Sequence, residues 1–277
     1  MSLPAHSSFV HEGRRIAYRT MGEGDKVIVL THGLLMDTLM FTNLAPVLVD
    51  AGHRVVLADM LGHGKSDQPH DMSAYSMPQF GRDVIALLDH LGVDQAVVGG
   101  TSLGANVSLE AAVAAPKRVR AMMIEMPVLE HGITGAGVAF VPLAFFLRIS
   151  QRGARWVSAM ARRIPRSSIY LDILIDFLRR DPTSSLAVLD GITFGRIAPP
   201  ARERRQLQQP TLVIGHASDP IHPFTDADML ASELPHGRLV EARSIWEWRI
   251  APKRLNHELL SFLDEVWAEP QLRLVAS

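Results

Sequence analysis

Gly99-Gly100-Thr101-Ser102-Leu103-Gly104-Ala105-Asn106 follows directly on the apolar run Ala96-Val97-Val98 and leads into the helical stretch at 106–115. A strand that turns into a helix within a few residues leaves little room at the bend. The Gly100-Thr101-Ser102-Leu103-Gly104 segment matches G-x-S-x-G, in which small residues two positions either side of a serine let a strained turn pack closely. The helix beyond that turn directs free N–H groups and the positive end of its dipole at the serine oxygen. On its own the five-residue pattern arises often by chance. Between a β-branched run and a helix it specifies a serine presented at the rim of a sheet.

Short β-branched runs alternate with amphipathic stretches on both sides of this turn, which predicts βαβ units and a largely parallel sheet. The expected strands lie at 26–33, 53–60, 95–102, 120–127, 210–216 and 237–244, with an antiparallel edge pair near the N-terminus. Ser76 with Gln79, Pro78 in the first turn and Gly92 at the end mark a helix between the second and third of these. From 129 to 208 the strand signals vanish and the chain becomes helical and rich in Phe, Ile, Leu and Arg. The predicted fold class is therefore α/β: a mostly parallel sheet flanked by helices. Residues 1–128 and 209–277 form its core and 129–208 a helical cap.

Composition narrows the function classes. The 277 residues suffice for one large domain, and 47% hydrophobic with 21% charged residues describes a folded globular chain. A net charge of −1 provides no overall field for nucleic acid or an anionic membrane. The absence of cysteine removes disulfides, thiolate metal sites and a thiol nucleophile together. No secretory h-region is visible, and the longest uncharged apolar run, Gly132 to Leu147, contains Gly135, Gly137 and Pro142 and falls short of a membrane span. A cytoplasmic protein with no membrane span, no nucleic-acid partner, no metal and no cofactor is expected.

Functional residues of a parallel sheet gather beyond the carboxyl ends of its strands. Leu30–Asp37 is a strand ending in His32-Gly33, which makes the Leu34 N–H a natural second oxyanion donor beside that of Leu103. Asp59–Asp67 is a glycine-rich loop straight after another strand. With His32-Gly33, with Asp59, Gly62, Gly64, Ser66 and Asp67, with the turn at Ser102 and with Pro210–Pro223, the sequence resembles the α/β-hydrolase superfamily, in its cap-bearing esterase and haloperoxidase-like branch. The resemblance covers nearly the whole chain. It implies that Ser102 is the nucleophile and that Asp219, four residues beyond Gly215, is the acid.

The family's histidine lies about seven residues before the proline that opens the last helix. Here that count from Pro252 lands on Ile245, beside Trp246. A serine hydroxyl needs a base, so the twelve histidines become candidates. His53, His90 and His236 precede strands, at the opposite edge of the sheet, and His257 lies on the solvated face of the last helix. At the rim remain His32, His63, His131, His216 and His222. His32 and His63 read as loop-shaping residues. His222 follows Asp219 by three residues, between Pro220 and Pro223, and reads either as the base or as a residue that stabilises the loop or contacts substrate. Glu125 ends the strand before the cap, where the resemblance implies an alternative triad acid in some members, and otherwise reads as a cap hinge or helix-terminus partner. Trp246 and Trp248 either line the pocket or pack between the last strand and the last helix, and Arg162, Arg163, Arg179 and Arg180 read as a solvated face of the cap, with contact to an anionic substrate as the second reading.

Two classes of function follow. One is a serine hydrolase of a carboxylic ester or thioester carrying a medium apolar acyl or aromatic group. It would work through acyl-Ser102 with Asp219 and His222, and Leu34 and Leu103 as oxyanion donors. The other is a catalytically degenerate ligand-binding or scaffold protein on the same fold, suggested by the residue at 245. A third possibility is a lyase-like reaction in which the serine only donates a hydrogen bond.

Overall fold

The computed structural model describes residues 3–165, 172, 175, 176 and 178–268. Among these, eight strands form one sheet: β1 (Ser7–His11), β2 (Arg14–Met21), β3 (Val27–Thr31), β4 (Arg54–Asp59), β5 (Ala96–Thr101), β6 (Val119–Glu125), β7 (Thr211–His216) and β8 (Gly237–Ala242). Their spatial order is β1-β2-β4-β3-β5-β6-β7-β8. β1, β2 and β4 pair antiparallel, and from β4 to β8 every neighbouring pair is parallel. All six expected strands and the edge pair are present.

Every residue of β3 and β5 is buried, as continuous apolar strands covered on both faces require. One face packs on α2 (Met77–His90) and α3 (Leu103–Ala114), through Phe80, Val84, Leu87, Val107 and Ala111. The other packs on α1 (Leu44–Asp50) and on α10 (Lys253–Ala268), whose stripe Leu255, Leu259, Phe262, Leu263 and Val266 is buried while His257 stays exposed. At the start of α2, the Ser76 hydroxyl accepts from the Gln79 N–H (3.3 Å), but the Gln79 side chain turns to Asp83 (3.1 Å) instead of closing a reciprocal cap.

The order β4-β3-β5 matters most for function. The chain builds outward from β3 on one side to β4 and then returns to its other side with β5, so the loops leaving β3 and β5 diverge and open a crevice. Between β6 and β7 the structure describes α4 (Gly132–Ile149), α5 (Gln151–Ala161), α6 (Pro182–Thr193) and the short α7 (Ala201–Arg204), and no strand among the described residues. Most of the apolar stretch at 168–177 lies outside the described residues. α4 is an unbroken 18-residue helix, long and apolar enough by length and composition to cross a membrane, because it continues past Leu147 and tolerates Pro142 in its interior. It packs on α5 and α6 across the carboxyl edge of the sheet. α8 (Phe224–Glu233) and the short α9 (Glu247–Ile250) complete the core.

Candidate active site

Ser102 sits between the end of β5 at Thr101 and the start of α3 at Leu103, with φ 57° and ψ −110°, a conformation a β-carbon resists. Two backbone bonds hold it: its N–H donates to the Glu125 carbonyl (2.9 Å), and its carbonyl accepts from Asn106 (3.1 Å). The flanking glycines are required by contact. A β-carbon at Gly104 would lie 2.0 Å from the Thr31 carbonyl oxygen, and one at Gly100 2.3 Å from the same atom. The β3 backbone therefore runs directly under the turn.

The loop after β7 carries the partners. Asp219 Oδ1 accepts from the N–H groups of Ile221 (2.9 Å) and His222 (3.0 Å), which folds the loop back on itself. His222 Nδ1–H can then donate to Asp219 Oδ2 (2.9 Å), leaving Nε2 to accept from the Ser102 hydroxyl (2.9 Å). Burial opposes ionisation of Asp219, but the His222 hydrogen bond and charge outweigh it and hold the carboxyl below its usual value. The chain thus brings together Ser102, Asp219 and His222.

Leu34 and Leu103 flank the turn, and among the described residues neither N–H has a hydrogen-bond partner. The loop holding Leu34 is set by two buried imidazoles. His32 donates from Nδ1 to the Gly33 carbonyl (2.9 Å) and accepts at Nε2 from Met60 (3.0 Å). His63 donates to the Leu61 carbonyl (2.9 Å) and accepts from the Leu35 N–H (3.1 Å), next to which Leu35 adopts φ 58°. Burial pushes both histidines below 6.5, so they are neutral and structural. His131 is also engaged away from the serine, with Nδ1 on Asp226 (3.0 Å).

Glu125 is neither a hinge nor a helix cap. It is a buried acceptor to which Thr101 Oγ1 (2.5 Å), His216 Nε2 (3.0 Å) and both terminal nitrogens of Arg249 donate. Burial alone would raise its carboxyl, yet the Arg249 charge and these bonds hold it well below the carboxylate range. His216 Nδ1 meets the Ser244 carbonyl (2.9 Å), so both its ring nitrogens face acceptors. The cluster ties β6, β7 and α9 together where the sequence reading looked for a histidine. Trp248 is buried, with Nε1 donating to Asn256 (2.7 Å), Trp246 is exposed, and both border the crevice. The cap arginines divide too. Arg162 and Arg163 are exposed, but Arg179 bonds Asp176 (2.7 Å), and Arg180 is half-buried with its guanidinium on the Gly62 carbonyl, pushed down to about 10 by desolvation. Arg179 also donates to the Ala161 (3.0 Å) and Ile164 (2.5 Å) carbonyls, so loop and helix-end carbonyls take part of the guanidinium's five donors.

Two cavities meet at Ser102. One of about 740 Å³ runs past Met40, Met126, Asp219, His222, Trp246 and Arg249. A smaller one of about 180 Å³ lies under the cap, between Leu103, Ile133, Leu189 and Ile192. Leu34, Phe140 and Ile221 border both.

The family model for the alpha/beta hydrolase fold matches residues 26–243, and the chain belongs to that family. Bifunctional epoxide hydrolase 2 of Sus scrofa is 34% identical over 113 residues, 41% of this chain and 20% of that protein's own length. The chain thus spans about a fifth of that relative. The 3-oxoadipate enol-lactonase 2 of Acinetobacter baylyi is 26% identical over 247 residues, covering 87% of this chain and 90% of the lactonase. A crystal structure of a hydrolase from Pseudomonas aeruginosa shares the fold, with a TM-score of 0.77 at 21% identity over 93% of this chain and 98% of that one. The chain is thus similar to proteins named as an epoxide hydrolase, an enol-lactonase and a hydrolase.

Proposed function

We propose that the chain hydrolyses carboxylic esters, with lactones and thioesters in the same class, through an acyl-Ser102 intermediate. The carrying observation is the 2.9 Å contact between His222 Nε2 and Ser102 Oγ, backed by the 2.9 Å contact from Nδ1 to Asp219. As Ser102 Oγ bonds to the acyl carbon, its proton passes to His222 Nε2 and the carbonyl electron pair moves onto oxygen, facing the Leu34 and Leu103 N–H groups. Collapse breaks the bond to the leaving alcohol, which takes the proton from His222. Water then repeats the sequence and frees the acid. Asp219 stays ionised throughout, fixing the tautomer and stabilising the imidazolium.

The cavities suggest how an ester is divided. The larger, lined chiefly by methionine, leucine and tryptophan side chains, suits an extended apolar or aromatic group; the smaller admits a short one. A lactone fits the same scheme with its leaving oxygen tethered to the acyl group, and the lactonase relative favours testing one. The non-catalytic reading drew on the residue at 245, and with an imidazole beside the hydroxyl no observation favours it.

A fluorophosphonate probe is expected to add covalently to wild-type protein at Ser102, with Ser102→Ala unlabelled and inactive on nitrophenyl esters. A folded wild type that neither labels nor hydrolyses any short-chain ester would remove the acyl-enzyme reading.

A further inference from the structure

Between Glu130 and Asp172 the sequence holds six arginines (148, 152, 155, 162, 163 and 166) and no Asp, Glu or Lys. Those six come from 28 basic residues, while all 29 acidic residues lie elsewhere, so the rest of the chain carries a net −7. The near-neutral total conceals a strongly polarised molecule.

The structure arranges this segment by face. On α4, Val138, Val141, Phe145 and Ile149 recur at helical spacing and are 74%, 59%, 63% and 67% exposed. On α5, Arg152, Arg155 and Trp156 point outward, with Trp156 66% exposed, while Ala154, Ser158 and Ala161 face inward; exposed Arg163 follows in the turn after the helix. Among the described residues, Arg152, Arg155 and Arg163 have no carboxylate partner. An apolar ridge beside arginines and a tryptophan is the pattern of a helix pair lying in a lipid interface: apolar side chains enter the acyl boundary and guanidinium groups meet phosphate. A second copy of this chain is a poor occupant, because a two-fold contact sets the arginine stripe against itself.

We propose that the outer face of α4 and α5 docks on an anionic lipid surface, with the helices lying along it. α4 is held from below rather than free to insert. Gly135 lets its backbone approach so closely that a β-carbon there would lie 2.4 Å from the Pro220 carbonyl, in the loop that carries Asp219 and His222. The docked face is thus the back of the wall over Ser102, since Ala136, Gly137 and Phe140 of the same helix line the smaller cavity. An apolar molecule leaving the bilayer meets the crevice through one helix thickness.

The test is flotation of the full-length protein with phosphatidylcholine vesicles, with and without phosphatidylglycerol, at low and high salt. Wild type is expected to float with the anionic vesicles only and to be released by salt. The Arg152→Glu/Arg155→Glu/Arg163→Glu variant should lower partitioning on the order of a hundredfold or more, and Phe145→Ser/Ile149→Ser by at least about tenfold. All five side chains point outward, so unchanged circular dichroism and melting are the folding control. Ser102→Ala should float like wild type, which separates this proposal from the hydrolase reading. It is overturned if folded wild type stays unbound at low salt, or if the charge reversal leaves binding unchanged. A concentration-dependent dimer that the same variants dissolve, without vesicle binding, overturns it in favour of a second copy.

Discussion

An imidazole three residues after its carboxylate partner can face that partner only if the chain doubles back between them. Asp219 brings this about with its other oxygen, accepting the N–H groups of residues 221 and 222, while Ser218 at φ 62° starts the turn and Pro220 and Pro223 limit the unfolded alternatives. One carboxylate thus shapes the loop and orients the ring. Asp219→Asn leaves an acceptor for the backbone but turns an N–H donor toward His222 or forces the wrong tautomer. It is expected to lower kcat on a nitrophenyl ester by about 10³–10⁴ while costing only about 1 kcal/mol in denaturant melts. Combined with Ser102→Ala it should add little further loss, because the groups act as a unit; additive losses would mean that Asp219 works apart from the serine. Ser102 and Asp219 were legible because each sits in a local pattern, a turn between glycines and a loop after a strand. His222 was legible as the rim histidine three residues past Asp219, but its role as base or loop-stabilising residue stayed open, since the serine lies 120 residues away. The Glu125 cluster was not legible at all. Thr101, His216 and Arg249 come from three separate segments, and no spacing rule joins a strand end to a residue 124 positions later.

At the scale of elements, the question is what holds the cap helix over the crevice. The first turn of α4 has free N–H groups that must find acceptors. Asp226, buried in the first turn of α8, takes three backbone donors there: Leu129 (2.6 Å), Gly132 (2.8 Å) and His131 (3.0 Å). At the other side, Asn106 of α3 donates to the carbonyls of Val128 (2.7 Å) and Ile197 (3.0 Å), clamping the cap's entry and exit to the helix that starts at Ser102. The helical character of 129–208 was readable from composition. Its anchoring was not, because every tie but the one from Asn106 to Val128 joins residues more than ninety positions apart. Asp226→Ala strands those donors out of water, which should destabilise the protein by about 2–4 kcal/mol. Limited proteolysis would locate the effect: cleavage between 129 and 149 should precede global unfolding in the variant and not in wild type. Uniform destabilisation, with no early cut in that segment, would show that Asp226 holds the core rather than the cap.

For the whole molecule, the arrangement that builds the site also sets how stability responds to acid. His32 and His63 are fully buried and neutral, each accepting one backbone N–H through Nε2 and donating from Nδ1, so protonation breaks a bond and puts a charge among apolar side chains. Burial lowers the folded values of both below the 6.5 of the exposed ring. The unfolded chain therefore takes up protons first. The stability these residues contribute is fully present above pH 6.5 and is lost as pH falls toward their folded values. Each contributes a slope of about 1.4 kcal/mol per pH unit in that window. Glu125, whose carboxyl Arg249 and His216 hold far below the usual 4.5, adds a second loss of the same sign that begins only below that value. Thermal melts are thus expected to be level above neutrality, to fall from about pH 6.5, and to steepen again below about pH 4.5. His63→Asn should lower the plateau, because Leu35 loses a matched acceptor, and should flatten the first descent. A wild-type melting temperature unchanged between pH 7 and pH 5 would contradict the neutral, buried state of these two rings, and with it the account of what holds the Leu34 N–H beside Ser102.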